Sequence, residues 1–301
     1  MPIDTSESSP LKIFIGSGEA SRVERKVLKY SIEISSPNCE IIVYNGTHDT
    51  LEYEDGRIER LHTPLEIKYQ NVTEFSNFRW YIPQLCGFKG RAIYLDSDMI
   101  CFEDLGIFNT IDLEGSQIMA RSDAYSTKGK WGYDPEGAWA LSMCIFDCAR
   151  FPMTAKELFD GIEAGNYSYK EMHYMKPAFV NHYDLKLSDM PEGWNDLDIY
   201  RKETQLIHYT NLLTQPWKFP GHRYGGIWHQ WLMRAMKDGA VTLKDVNQSI
   251  NRGFVRPTLL DGNWVPPSRK PWRDAAYILP WYFSRLARLV GTMLTSDRKL
   301  P

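Results

Sequence analysis

Arg91-Ala92-Ile93-Tyr94-Leu95-Asp96-Ser97-Asp98-Met99-Ile100 is the run that decides how this chain folds. Ala92 to Leu95 is apolar and rich in strand formers, which predicts a buried strand. Asp96 and Asp98 follow, one residue apart, before the sequence turns apolar again. Alternate residues of an extended segment point the same way. The two carboxylates can therefore aim at one point, with Ser97 turned aside. Two hard oxygen ligands on one side suit a divalent cation that keeps open positions for phosphate oxygens. A strand that merely runs into an Asp-rich turn has the same local pattern. The place of the pair, mid-chain and after a buried strand, sets the functional reading level with that one.

Upstream, Leu11 to Ile15 predicts a first strand, ending at Gly16-Ser17-Gly18. Small residues after a strand let a ligand approach the backbone closely, although a tight turn uses them too. Neither a full G-x-G-x-x-G nor a Walker loop is present. Glu19 to Ile34 predicts a helix, with Val23, Val27, Leu28 and Ile34 at roughly helical spacing. Cys39 to Tyr44 predicts a second strand. Strand, helix and strand in this order form a βαβ unit, and hence a parallel sheet. Thr73 to Gly87 predicts a helix just before the central strand. It is rich in aromatics, its one cation is Arg79, and Pro83 can kink or end it.

Downstream, Gln117 to Ala120 and Trp139 to Phe146 predict strands, and Phe151 to Ala164 a helix. Met190 to Asn195 is turn-rich. Gln205 to Tyr209 predicts a short strand carrying His208, and His222 to Lys237 an aromatic helix. Beyond Gly239 the pattern loosens, until Asp274 to Leu294 predicts a last helix.

A length of 301 residues allows one large α/β domain or two small ones. The formal charge of -3 gives no electrostatic case for nucleic acid. The five cysteines are odd in number, and no pair has zinc-ribbon spacing. Cys144 and Cys148 lie in an apolar run and read as core residues, so a reducing compartment is the simplest context. Met1 to Pro10 is polar and acidic, unlike a signal peptide. No apolar run reaches the ~18 residues of a membrane span. A cytoplasmic location is the expectation.

Three features converge: Asp96-Ser97-Asp98 after a strand, His208 at the end of a later one, and Gln215-Pro216-Trp217 shortly beyond. In this order they resemble glycosyltransferase family 8, over roughly Leu11 to Lys237. The resemblance implies a GT-A fold, an α/β architecture with a mostly parallel mixed sheet, over residues 11–240. Residues 241–301 would form a C-terminal extension. It also implies retaining transfer of a sugar from a nucleotide diphosphate, here a UDP-sugar, to a glycan or lipid-linked acceptor. Asp96, Asp98 and His208 would hold Mn²⁺ or Mg²⁺. Two carboxylates and a neutral imidazole make a borderline-hard donor set of the kind Mn²⁺ takes. Arg79 falls at the family's cation near the donor phosphates, a task that suits a planar guanidinium. Gly16, Ser17 and Glu19 match the loop that holds the base, and Ser97 joins the donor residues. Asp123 falls where the family has an acid near the donor sugar. Glu171 lies in the region of the acceptor-side polar residues, and Pro191…Trp194-Asn195 resembles a stretch that precedes the ligand histidine.

The chain also departs from the family pattern. His208 to Trp217 is one residue longer than usual, Asn211 replaces a glycine, and Gln215 replaces a lysine that touches the diphosphate. Lys218 is the residue that could take over. Trp139 to Asp147 lacks the usual Asn and Gly. These losses motivate an alternative: a non-catalytic protein that binds a nucleotide sugar or a glycan. A sugar-phosphate nucleotidyltransferase fits less well, because the loop after its first strand carries Arg or Lys where this chain has Glu19. In the expected C-terminal helix, Leu279, Tyr282, Leu286, Leu289, Val290 and Met293 share one side, with Arg285 and Arg288 mainly on the other. That pattern fits either a docked terminal helix or peripheral contact with a membrane.

Overall fold

The computed structural model describes residues 10–61, 73–122 and 138–260. Its strands, in chain order, are β1 (Lys12–Ser17), β2 (Glu40–Asn45), β3 (Thr50–Tyr53), β4 (Ile58–Arg60), β5 (Arg91–Asp96), β6 (Met99–Cys101), β7 (Ile118–Ser122), β8 (Trp139–Asp147), β9 (Leu187–Asp189), β10 (Asp196–Leu197) and β11 (Leu206–His208). The helices are α1 (Arg22–Ser35), α2 (Ile82–Leu85), α3 (Ala155–Glu163), α4 (Tyr169–His173), α5 (Pro177–His182), α6 (Gly225–Lys237) and α7 (Leu243–Asn251). The described residues fall into two compact units. One includes Leu28–His208 and the first strand; the other comprises Arg22–Val27 and the described part of Tyr209–Pro301.

The first unit is built on an eight-stranded sheet of order β4-β3-β2-β1-β5-β8-β7-β9. β1 pairs in parallel with both β2 and β5, as the βαβ reading required. Six of the eight strands run one way, and β3 and β8 run against them. The sheet is therefore mixed with mostly parallel strands. Its side chains alternate between two cores, because successive strand residues face opposite ways. Phe14, Tyr44, Tyr94, Cys144 and Phe146 pack with Phe78, Trp80 and Phe179 on one face. Ile13, Ile15, Ile93, Leu95 and Ile145 pack with Leu28, Ile32, Phe108 and Trp194 on the other. Cys144 and Cys148 are buried and unbridged, as expected of core residues.

A second, three-stranded sheet has the order β10-β11-β6, with β11 antiparallel to β6 and parallel to β10. Only Ser97 and Asp98 separate β6 from the end of β5, so the central strand feeds both sheets.

Several elements differ from expectation. Thr73 to Gly87 is not one helix. It is a run of turns, a single 3-10 turn over Phe78–Tyr81, and the four-residue α2 with Pro83 in its first turn. Proline is tolerated there because its missing N–H would have no partner in a first turn anyway. Ile34 is an exposed residue of α1, and Ile32 takes the buried place. The helix expected from Phe151 starts only at Ala155, where Thr154 and Glu157 form a capping box. The helix expected over Asp274 to Leu294 lies outside the described residues, as does the loop expected over Ser126 to Gly137. Among the described residues, no helix is long and apolar enough to cross a membrane.

The second unit holds a helix that the periodicity beyond Gly239 does not announce, α7. Its N-terminus is secured by a capping box in which the Thr242 hydroxyl and the Asp245 carboxylate satisfy each other's backbone N–H groups. Asp245 also accepts a hydrogen bond from Lys26 at 2.7 Å, and Arg22 lies 3.6 Å from it. Burial alone would raise the Asp245 pKa, but Lys26 and the Thr242 donors outweigh it and pull the value down to about 2. A depressed carboxylate pKa contributes stability above the ordinary aspartate range that is lost as pH falls through the folded value. Asp245→Asn keeps much of the cap but loses the ion pairs. It should cost about 1–2 kcal/mol at neutral pH. It should also flatten the loss of stability between about pH 4 and pH 2, as followed by urea unfolding at each pH.

Candidate metal and donor site

β5 delivers Asp96 at its last position, and a bend at Ser97-Asp98 carries the chain into β6. The two carboxylates thus do not lie along one extended strand; the bend swings Asp98 round. β6 then pairs with β11 in a register that sets Met99 opposite His208. That register brings His208 beside Asp98, and its Nε2 lies 3.0 Å from Asp98 Oδ1. One donor atom from each of Asp96, Asp98 and His208 lies within 4.8 Å of the others. Ser97, between the carboxylates, is buried.

Asp96 is held from behind. Its Oδ1 accepts a hydrogen bond from Tyr94 Oη at 2.6 Å and lies 3.6 Å from Arg79 Nη2. Tyr94 and Asp96 share a strand face, which is the face covered by the Phe78–Tyr81 turn that carries Arg79. The Arg79 side chain is only 4% exposed, so it is not an ordinary surface cation. Its Nε donates to Ser76 O at 2.8 Å, and the guanidinium lies 4.5 Å over the Tyr94 ring. Burial opposes its charge, yet Tyr94 and Asp96 hold the Arg79 pKa above its ordinary value. Asp96 itself is pushed up, first by burial and then by Asp98, against the pull of Arg79 and His208. His208 would be pushed down by burial, but Asp98 and then Asp96 and Asp198 leave it raised.

These residues fit a divalent cation. Two carboxylates and an imidazole converge from one side at the spacing that a single ion's ligands require. Without an ion, burial and the neighbouring Asp98 carboxylate together raise the Asp96 pKa. A cation supplies the charge that Arg79 and His208 only partly provide.

The glycine loop lies alongside. Gly16 pairs with Asp96 in the β1–β5 register. A Cβ at Gly16 would sit 2.4 Å from Tyr94 Oη, so a side chain there would push Tyr94 away from Asp96. Ser17 is buried at the strand end. Glu19 N donates to Thr47 Oγ1 at 2.8 Å, and the Glu19 carboxylate accepts from Asn45 Nδ2 at 3.1 Å. Glu74, which the sequence pattern did not single out, accepts from Thr47 Oγ1 at 2.6 Å and packs over Gly18 and Gly46.

Three further residues are expected at the site: Glu171, Lys218 and Asp123. Glu171 caps α4, its carboxylate accepting the Ser168 N–H at 2.6 Å. Backbone and hydroxyl donation by Ser168 lowers its pKa. Lys218 belongs to the second unit, where it donates to Gln215 Oε1. Asp123 lies outside the described residues. The structure also supplies neighbours of Arg79 that sequence reasoning missed. Tyr169 Oη donates to Asn77 Oδ1, and the His173 ring stacks on Tyr169 at 5.8 Å. Burial and the nearby Arg79 charge push the His173 pKa down to about 3, so that ring stays neutral.

No protein-family model matches the chain, and no curated protein matches its sequence. Solved structures match its fold. The galactosyltransferase LgtC, in complex with donor and acceptor sugar analogues, is 11% identical with a TM-score of 0.53, over 79% of this chain and 100% of LgtC. The glycosyltransferase GlyE of Streptococcus pneumoniae TIGR4 is 13% identical with a TM-score of 0.54, over 83% of this chain and 65% of GlyE. The bifunctional glycosyltransferase WbbM is 12% identical with a TM-score of 0.50, over 82% of this chain and 53% of WbbM. The chain thus spans just under two thirds of GlyE and about half of WbbM. At such identities the likeness is one of fold, and the fold is that of the GT-A glycosyltransferases, as the resemblance to family 8 implied.

Proposed function

We propose that the chain is a metal-dependent, retaining glycosyltransferase that moves a sugar from a nucleotide diphosphate, a UDP-sugar, to a glycan or lipid-linked acceptor. The observation that carries the proposal is the convergence of Asp96, Asp98 and His208 at the end of the central strand. The fold supports it, because LgtC has this architecture and was solved with donor and acceptor sugar analogues.

A nucleoside diphosphate leaves poorly unless its developing charge is neutralised. Mn²⁺ or Mg²⁺ held by Asp96, Asp98 and His208 would supply that neutralisation. Tyr94 and Arg79 hold the Asp96 Oδ1 side, which leaves the other oxygen for the ion. Arg79 adds a permanent positive charge behind the site. The β1 loop from Gly16 to Glu19, paired with β5, would hold the nucleotide beside the carboxylates. Front-face attack guided by the leaving phosphate would give retention without a protein nucleophile. Peripheral membrane contact by the basic, aromatic C-terminal segment belongs to the same proposal and rests on its sequence pattern.

The direct test is turnover of a panel of nucleotide sugars with Mn²⁺, followed as release of the nucleoside diphosphate with and without acceptor glycans. Wild type should release UDP from one UDP-sugar, and the product linkage should keep the donor's anomeric configuration by NMR. Asp98→Ala should lower turnover by about 10²–10³-fold, the scale of several kcal/mol of lost charge stabilisation. Equal turnover by the variant in saturating Mn²⁺ rules out the metal role. Donor binding without any turnover supports the non-catalytic alternative.

The His208 pKa yields a second prediction. A raised folded pKa contributes stability that is present below the ordinary histidine value and is lost as pH rises through the folded value. The metal-free melting temperature should therefore fall as pH rises above about 6.5. Metal binding has the opposite sign, since the ligand must first lose its proton. The stabilisation conferred by Mn²⁺ should grow over the same interval, and His208→Ala should abolish both trends. Thermal melts with and without Mn²⁺ across that range decide the matter. Parallel pH trends in the two series would count against ligation by His208.

A further inference from the structure

Asn195 is a fully buried polar residue, and its backbone is left-handed, with φ +56°. Few residues accept that conformation, and asparagine is among those that do. Both ends of its amide are engaged. The Oδ1 lies 3.0 Å from His208 Nδ1, and the Nδ2 donates to Ser142 Oγ at 3.1 Å. The Ser142 hydroxyl also donates to Oδ1 at 3.4 Å, and Oδ1 is the amide atom that faces the imidazole.

The segment around Asn195 is itself secured. Arg121 Nη1 donates to Asn195 O at 3.1 Å and to Asp196 Oδ1 at 2.7 Å. Asp196 is buried and also accepts from Arg201 Nη2 at 3.1 Å and from Thr204 Oγ1 at 2.8 Å. Ser142 lies on β8 and Arg121 on β7, both in the large sheet, whereas His208 ends β11 in the small one. Asn195 therefore ties the histidine of one sheet to the strands of the other.

A neutral imidazole carries one proton, and the hydrogen bond at one ring nitrogen decides which nitrogen is bare. Nε2 lies 3.0 Å from Asp98 Oδ1, itself an acceptor, so the two ring nitrogens compete for the proton until an ion takes the Nε2 lone pair; the acceptor at Nδ1 then holds the proton there. Partners of this kind fix the ring orientation of metal-ligating histidines. We propose that Asn195 is a positioning residue for the metal centre: its side-chain carbonyl holds the His208 proton on Nδ1 and turns Nε2 toward the ion. This rests on the metal-dependent reading above.

The test uses the full chain and two variants. Asn195→Gly removes the amide at a position whose backbone conformation glycine adopts freely. Asn195→Asp keeps an acceptor for Nδ1–H. Mn²⁺ affinity is read from the electron paramagnetic resonance signal of free ion, and the tautomer of His208 from ¹⁵N-histidine spectra of protein saturated with Mg²⁺, a diamagnetic ion, at alkaline pH. Wild type and N195D should carry the proton on Nδ1. N195G should shift it toward Nε2 and weaken Mn²⁺ binding by about 10–100-fold, with N195D restoring affinity. A proton on Nε2 in wild type overturns the proposal, whether or not N195G folds. So does a folded N195G that binds Mn²⁺ as wild type does. Wild type with its proton on Nδ1 but no Mn²⁺ binding supports the orienting contact and overturns instead the metal reading on which its purpose rests.

Discussion

The approach of His208 to Asp98, 3.0 Å between Nε2 and Oδ1, depends on two short strands finding one register. β6 and β11 are three residues each, and they pair with Met99 opposite His208. A one-residue slip would turn His208 to the other side of the small sheet, because side chains alternate along a strand. Much of the first unit works against such a slip. β5 is clamped between β1 and β8, so the start of β6 is set by a strand with neighbours on both sides. β11 is clamped between β6 and β10, and β10 is anchored at its first residue, Asp196, by that residue's donors.

The same geometry gathers negative charge where water is scarce. The Asp96 and Asp98 side chains are about one-fifth exposed, at 21% and 19%, and the His208 side chain only 6%. Burying charge is unfavourable unless it is paired or coordinated to a metal. The chain answers in part with Arg79, buried behind Asp96, and with the Tyr94 hydroxyl. What remains is the burial, and after it the Asp98 charge, that raises the Asp96 pKa, and the carboxylate field that raises that of His208. A divalent cation bound here would offset that charge, and under the proposed function the same cation would neutralise a departing diphosphate.

Much of this was legible in the sequence, and for identifiable reasons. Ala92 to Leu95 is a run of strand formers, so β5 and its terminal carboxylates are written locally. The βαβ unit follows from the order of strand, helix and strand. What stayed hidden is what depends on distant partners or on single backbone angles. That β8 enters between β5 and β7 against their direction is a fact of topology, and a buried apolar run reads the same in either direction. The segment from Thr73 to Gly87 has helical spacing, yet tertiary packing of Phe78, Trp80 and Arg79 breaks it into short turns. α7 lacks a long apolar period and is secured instead by a capping box and an ion pair to Lys26. Asn195 stood in a stretch notable for its pattern, but its contact with His208 needs a left-handed residue and a pairing 13 positions away. Glu171 has the right residue type in the right region, and capping chemistry at Ser168 accounts for its placement.

The account stands on one divalent ion bound jointly by Asp96, Asp98 and His208. Crystals soaked in Mn²⁺ and measured at the manganese absorption edge test this most directly. The expected result is a single strong anomalous peak about 2.0–2.3 Å from Asp98, from His208 Nε2 and from the Asp96 oxygen that Tyr94 leaves free. A soaked crystal with no peak at these three side chains, or with a peak that His208 does not touch, would contradict it.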